Sequence, residues 1–226
     1  MCSSDLFKDS DEFKHFASRF EQNDRIFIIS SIFGGTGAAG FPLILKNIRN
    51  AASPLSNPEY LRNAKVGAVT VLPYFGLAPG ESKIDMATFI SKTKAALSYY
   101  ENNVSGNKSL NALYYIGDDI KSSYQNDPGA GGQKNDAHFV ELAAALSVID
   151  FMKIDDSALQ TENGRAVKPM HREFGIAKDE DTLSFNTLGD KTQKMLKRPL
   201  TQATNQRYYP MSRRMTQAVH LCTRLD

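Results

Sequence analysis

The sequence predicts an α/β fold, in which a parallel sheet is covered by helices on both faces. Three short apolar segments, 25–32, 66–72 and 112–116, have the length and the β-branched or aromatic content of strands. Each is followed by a segment whose apolar residues recur at helical spacing. Connections of this length favour parallel pairing over hairpins, and helix-forming segments between strands favour a sheet with helices packed on it.

The first elements follow one another without long loops. Phenylalanines spaced by three and four residues within 11–20 predict a short helix with an apolar face. The run at 25–32 is continuously apolar, as in a strand that is buried on both faces. A glycine-rich turn over 34–40 comes next, and a helix is expected over 41–50, with Pro42 in its first turn, where a missing N–H is tolerated.

The later elements repeat this order. The strand at 66–72 ends at Pro73, and Asp85 is a suitable N-cap for the helix that follows. The strand at 112–116 stops at a Gly-Asp-Asp sequence. A loop rich in Gly, Asn and Asp over 117–136 then leads to a long central helix with an alanine run in its middle.

Composition disfavours several classes of protein. The 27 basic and 25 acidic residues leave a net charge of +2, which gives no strong field for nucleic acid or an anionic membrane. No apolar run approaches the roughly 20 residues of a membrane-spanning helix. Two cysteines, Cys2 and Cys222, are too few for a disulfide scaffold or a zinc cluster and favour a reducing, cytoplasmic setting. The histidines are scattered, and His138 is expected to cap the central helix or face solvent.

The residues with the clearest chemistry lie in the turn after the first strand. In open parallel sheets, ligands bind at the carboxyl ends of the strands. Glycines let backbone N–H groups approach an anion, and the N-terminus of the next helix adds unpaired donors. We therefore predict nucleotide-phosphate binding by the members of this turn: Gly34, Gly35, Thr36, Gly37, Ala38 and Gly40. The alternative is a tight strand-to-helix turn that binds nothing.

Two known phosphate motifs can be compared with this turn. A P-loop needs Gly-Lys followed by Ser or Thr, whereas Gly40 is followed by Phe-Pro. Gly35, Gly37 and Gly40 have the spacing of the dinucleotide fingerprint. That motif also expects an acidic residue about 20 positions later, at the end of the second strand, but Glu59 precedes that strand. An NAD(P)-binding oxidoreductase domain remains an alternative.

The segment Ser-Ile-Phe-Gly-Gly-Thr-Gly-Ala-Ala-Gly at 31–40 resembles the signature of the tubulin/FtsZ family, particularly its bacterial tubulin-like members. The resemblance covers about 25–152 and implies part of a Rossmann-like GTPase domain that binds GTP or GDP and self-assembles. It implies nucleotide contacts from residues after the later strands and at the start of the central helix: Pro73, Asp118 or Asp119, Asn135, Asp136 and Phe139. The Asp118-Asp119 pair would also suit Mg²⁺, although such pairs often simply end a strand.

The flanking segments complete the predicted organisation. Residues 1–24 are interpreted as an adapter-like leader plus the first helix, so that the family's earlier strands would precede this chain. Residues 153–226 are expected to be a connector, with a turn at Asn163-Gly164, and the start of a second unit or a tail.

Hydrolysis in this family requires an acidic loop from the neighbouring subunit. Asp155 and Asp156 form the nearest acidic pair after the central helix and are the candidate catalytic residues. A connector with two solvated aspartates is the simpler interpretation of this pair, and a non-catalytic interaction protein of the same fold is a further alternative.

Overall fold

The computed structural model describes residues 10–78, 86–118, 122–125 and 138–174. The helices are α1 (Asp11–Ser18), α2 (Gly35–Arg49), α3 (Pro58–Arg62), α4 (Met86–Tyr100) and α5 (Phe139–Lys153). A π-helical turn, Glu101–Ser105, extends α4, and a 3-10 turn, Asp156–Leu159, follows α5. The strands are β1 (Arg25–Ser31), β2 (Lys65–Val71), β3 (Gly76–Leu77), β4 (Ala112–Ile116), β5 (Ser123–Tyr124), β6 (Thr161–Glu162), β7 (Arg165–Ala166) and β8 (Met170–Phe174).

Four of the strands form a parallel sheet in the order β1-β2-β4-β8. The predicted α/β fold class is therefore confirmed, and the three predicted strands agree with β1, β2 and β4 to within one residue at each end. The pairs β3–β5 and β6–β7 form two small separate sheets. Within the described ranges, no helix is long and apolar enough to cross a membrane.

Side chains alternate between the two faces of the sheet, and each face has its own core. On one face, residues such as Val66 and Leu113 pack with α1, α2 and α4. On the other, Val69 and Tyr114 pack with α5. Gly67 permits the close packing of α5, because a Cβ there would lie 2.8 Å from the rings of both Phe27 and Phe151.

The structure carries the sheet past residue 152, where the sequence indicated a connector. The predicted turn at Asn163-Gly164 is confirmed, since both residues have positive φ (50° and 75°) between β6 and β7. The chain then adds β8 beside β4. Each of the three connections leads to the next strand on the same side of the sheet, in the order β1-β2-β4-β8. However, α5 lies on the opposite face from α2 and α4. The last connection therefore has the opposite hand to the first two.

A buried polar network holds the hairpin against the sheet. The Asn111 amide nitrogen donates to Leu159 O and Thr161 Oγ1, each at 2.8 Å, and its oxygen accepts from the Val66 N–H at 2.8 Å. Arg49 donates to the same oxygen at 3.2 Å and to three backbone carbonyls. Burial lowers the pKa of Arg49 to about 10. Polar side chains thus attach a segment that carries few apolar residues.

Two local expectations differ from the structure. Phe13 and Phe20 are buried as predicted, but Phe16 is 41% exposed, although its ring contacts both of them. The prediction that α2 begins near residue 41 was wrong, because the helix begins at Gly35 and Pro42 lies in its interior. The glycines lower helix propensity, but tertiary contacts outweigh that local preference.

Other expectations lie outside the described residues. These are the N-cap at Asp85, the role of Asp119, the guanine contacts of Asn135 and Asp136, both cysteines, and the elements expected after residue 174.

Candidate functional site

The candidate site lies at the carboxyl edge of the sheet. Because β1, β2 and β4 are parallel, the residues that follow them emerge at the same edge. The glycine turn follows β1, Pro73 follows β2, and Asp118 follows β4, while α5 begins there with Phe139. The fold therefore brings together the described members of the predicted nucleotide site, although they span more than 100 positions of sequence.

The glycine turn is mostly the first part of a helix. Gly34 is the N-cap of α2, with φ −99° and ψ 140°, and its carbonyl accepts from the Ala38 N–H at 2.9 Å. The N–H groups of Gly35, Thr36 and Gly37 have no acceptor within the helix. The first turn contains no acidic residue. This helix end thus offers donors and a favourable dipole to an anion.

The four glycines have different surroundings. A Cβ on Gly37 would lie 2.2 Å from the backbone oxygen of Ser31, so this glycine permits α2 to pack against the end of β1. A Cβ on Gly34 would make only an ordinary contact, 3.5 Å from Ser31 Oγ. Gly35 and Gly40 have no atom within 4 Å of such a Cβ. Open space for a ligand beside the helix end is therefore found at Gly35.

Aromatic rings line the edge next to the glycine turn, a feature that the sequence analysis missed. The Phe33 ring lies 5.4 Å from Phe75 and 5.2 Å from Phe89, measured between centroids. Tyr74 links this group to the start of α5, since its ring lies 4.8 Å from that of His138. We call these five residues the aromatic wall. The Pro-Tyr-Phe sequence directly after the second strand was the available signal.

His138 caps α5, as the sequence analysis expected. Its Nδ1 accepts from the Val140 N–H at 3.1 Å, so the proton of the neutral ring lies on Nε2. That nitrogen faces the Asp118 Oδ2 at 3.4 Å. Burial and the Glu141 carboxylate raise the pKa of Tyr74, which keeps its hydroxyl protonated. The beginning of α5 is thus tied to the residues that follow β2 and β4.

The acidic pair proposed for catalysis lies at the other end of the sheet. Asp156 pairs with Arg25 at 2.5 Å and with Lys65 at 2.7 Å, and these two residues begin β1 and β2. Hydrogen bonds from Lys65 and Arg25 lower the pKa of Asp156. Since β1 has seven residues, it spans roughly 20 Å. Neither Asp155 nor Asp156 can therefore reach the glycine turn of its own chain.

No clustered metal site was found in the part of the chain that the structure describes, where groups of three or more His, Cys, Asp or Glu were sought. Comparisons with protein-family models, curated proteins and solved structures found no match to this chain. The geometry of the site and the motif at 31–40 are therefore the features that point to a function.

Proposed function

We propose that this protein binds a guanine nucleotide with its phosphates at the N-terminus of α2. The observation that carries the proposal is the first turn of α2, which has three N–H groups without a helical acceptor at the carboxyl edge of a parallel sheet. Exposed Gly35 leaves room beside them, and Thr36 can add a hydroxyl donor. The resemblance of this segment to the tubulin/FtsZ signature supports the same assignment.

The rest of the nucleotide would extend across the carboxyl edge. Pro73 and Asp118 are suited to contact the ribose or base, and Phe139 begins the helix expected to hold the guanine. Phe33, Tyr74 and His138 of the aromatic wall are partly exposed and offer ring surface of the kind on which bases stack, whereas Phe75 and Phe89 are buried. Guanine preference through Asn135 and Asp136 stays a prediction, since these residues lie outside the described ranges.

Self-assembly and GTP hydrolysis form the finer part of the proposal. A water-orienting carboxylate must lie within about 2.6–3.2 Å of its partner, and the acidic pair is too far from the glycine turn to act within one chain. Both aspartates are exposed, but Asp156 is already engaged by two cations. Asp155 is therefore the better candidate to complete the site of a neighbouring subunit.

The end of β2 argues against NAD(P) as the ligand. A dinucleotide-binding domain places an acidic residue there for the ribose hydroxyls, but β2 ends at Val71 and is followed by Leu72 and Pro73. A non-catalytic interaction protein would keep the fold without turnover.

Calorimetry with GTP, NAD and inorganic pyrophosphate tests the proposal on the 226-residue chain. Gly35→Val should weaken GTP and pyrophosphate at least about tenfold, because its side chain would fill the space beside the free N–H groups. Gly35 does not have positive φ, so backbone strain would not explain the loss. Ala39→Val, one turn further along the same helix face, is the matched control and should keep wild-type affinity.

Two results would count against the proposal. Undiminished GTP affinity in Gly35→Val would exclude the phosphate assignment. Tighter binding of NAD than of GTP would favour the oxidoreductase alternative.

A further inference from the structure

Pro42 leaves a gap in the hydrogen bonds of α2. In an α-helix, the N–H of residue 42 would bond to the carbonyl of residue 38, four positions earlier. Proline has no N–H, and its ring pushes that carbonyl outward. Because Pro42 lies inside α2, the Ala38 carbonyl in the first part of the helix has lost its helical donor.

A tyrosine from another helix fills this gap. The Tyr100 hydroxyl donates to the Ala38 carbonyl oxygen at 3.0 Å. Tyr100 is fully buried, and its ring packs edge-on against Phe41 with centroids 5.1 Å apart. Burial raises the pKa of Tyr100, so its hydroxyl stays protonated and available as a donor.

The hydrogen bond from Tyr100 lies within the glycine turn and can therefore set the position of that turn. Ala38 directly follows Gly37, which packs closely against the Ser31 backbone. Tyr100 is the last residue of α4, and the π-helical turn Glu101–Ser105 begins at the next residue. Single π-helical turns occur often at functional sites.

We propose that Tyr100 is a positioning residue for the phosphate site, acting through the carbonyl that Pro42 leaves without a donor. The inference rests on the proposed function, since it concerns the affinity of the turn at α2 for phosphates. Tyr100 touches no ligand in this scheme; it fixes the orientation of the helical turn that carries the free N–H groups.

A double-mutant cycle tests this role. Tyr100→Phe removes only the hydroxyl and should weaken pyrophosphate and GTP about threefold to tenfold, measured by calorimetry. Pro42→Ala restores a backbone N–H that can bond to the Ala38 carbonyl. Combined with Tyr100→Phe, it should return the affinity to within about twofold of wild type. The two substitutions would then be non-additive, as expected for residues that share one hydrogen-bond acceptor.

Tyr114→Phe is the matched control, because it removes another buried tyrosine hydroxyl bond, the one to Asp150 at 2.6 Å on the opposite face of the sheet. It should lower the midpoint of thermal unfolding but leave the affinity unchanged. All titrations are run where circular dichroism shows the variants to be folded.

The outcomes separate this inference from the proposed function. If wild type binds but Tyr100→Phe binds equally well, or if Pro42→Ala fails to rescue it, the positioning role is overturned alone. An equal loss in Tyr114→Phe would also overturn it, by showing a general effect of stability. If wild type binds neither GTP nor pyrophosphate, the proposed function fails and the positioning role fails with it.

Discussion

At the scale of single residues, glycines that look alike in the sequence have different roles in the fold. Gly35 and Gly37 are both members of the predicted phosphate turn, but only Gly37 packs against the backbone of β1. A side chain at position 37 would therefore disturb the fold before it disturbed a ligand. Substitutions at the two positions have to be interpreted differently.

Gly37→Ala should lower the free energy of unfolding by about 1–3 kcal/mol or more, because its Cβ would overlap the Ser31 oxygen. Gly35→Ala should change it by less than about 0.5 kcal/mol, since no atom lies near the new methyl group. Urea unfolding of the two variants measures the difference. Equal destabilisation by both would contradict the close packing at Gly37.

At the scale of elements, the carboxyl end of α5 is held by the first residue of β1. Arg25 donates to the carbonyls of Phe151 at 2.7 Å and Ile154 at 2.8 Å, and pairs with Asp156. The guanidinium thereby adds strong donors to carbonyls at the helix end, in a position that favours positive charge. A single arginine thus joins the central helix to the amino edge of the sheet.

This arrangement predicts acid sensitivity. Hydrogen bonds from Lys65 and Arg25 lower the pKa of Asp156 below its ordinary value of 3.8. The stability from these pairs is therefore present above pH 3.8 and is lost as pH falls through the lower folded-state pKa. Asp156→Asn should remove this part of the acid-induced loss of stability. The free energy of unfolding, measured as a function of pH at and below 3.8, checks this.

The neighbouring Asp155 supplies the control for acid sensitivity. Asp155→Asn makes the same change of charge but leaves the pairs of Asp156 with Arg25 and Lys65 intact. It should therefore keep the acid-induced loss of stability that these pairs cause. Added salt should reduce the difference between the two variants, because the pairs are partly exposed and are screened. Identical acid profiles for wild type and Asp156→Asn would refute the contribution of the pairs.

At the scale of the whole molecule, the proposed nucleotide site and the acidic pair occupy opposite edges of one sheet. A head-to-tail contact between two copies would bring the amino edge of one to the carboxyl edge of the next. Such heterologous contacts form open filaments unless the rotation closes a ring. The separation of the two edges is therefore compatible with a catalytic site shared between subunits.

If hydrolysis is completed between subunits, GTP turnover per subunit should rise with protein concentration. The double variant Asp155→Ala/Asp156→Ala should bind GTP but lose turnover. Mixing it with Gly35→Val should restore activity, because one subunit keeps the phosphate site and the other keeps the acidic pair. Turnover per subunit that stays constant on dilution would contradict the shared site, as would failure of the mixture to recover.

The sequence by itself determined the fold class, the three strands β1, β2 and β4, the central helix and the turn at Asn163-Gly164. These features depend on interactions between close neighbours in the chain. Apolar periodicity reports which residues face a core, and Asn-Gly tolerates the positive φ that a tight hairpin turn needs. Such signals can be read without knowing which distant residue lies opposite.

Only the tertiary structure decided where α2 begins, what Gly37 is for, and what Asp156 and Tyr100 contact. Each depends on partners far away in sequence: Asp156 pairs with Arg25, and Tyr100 bonds to Ala38. The polar stretch before β8 likewise resembled a connector, because side-chain hydrogen bonds to Asn111 rather than an apolar pattern hold it to the sheet. Local patterns record burial, but they do not record the identity of a long-range hydrogen-bond or ion-pair partner.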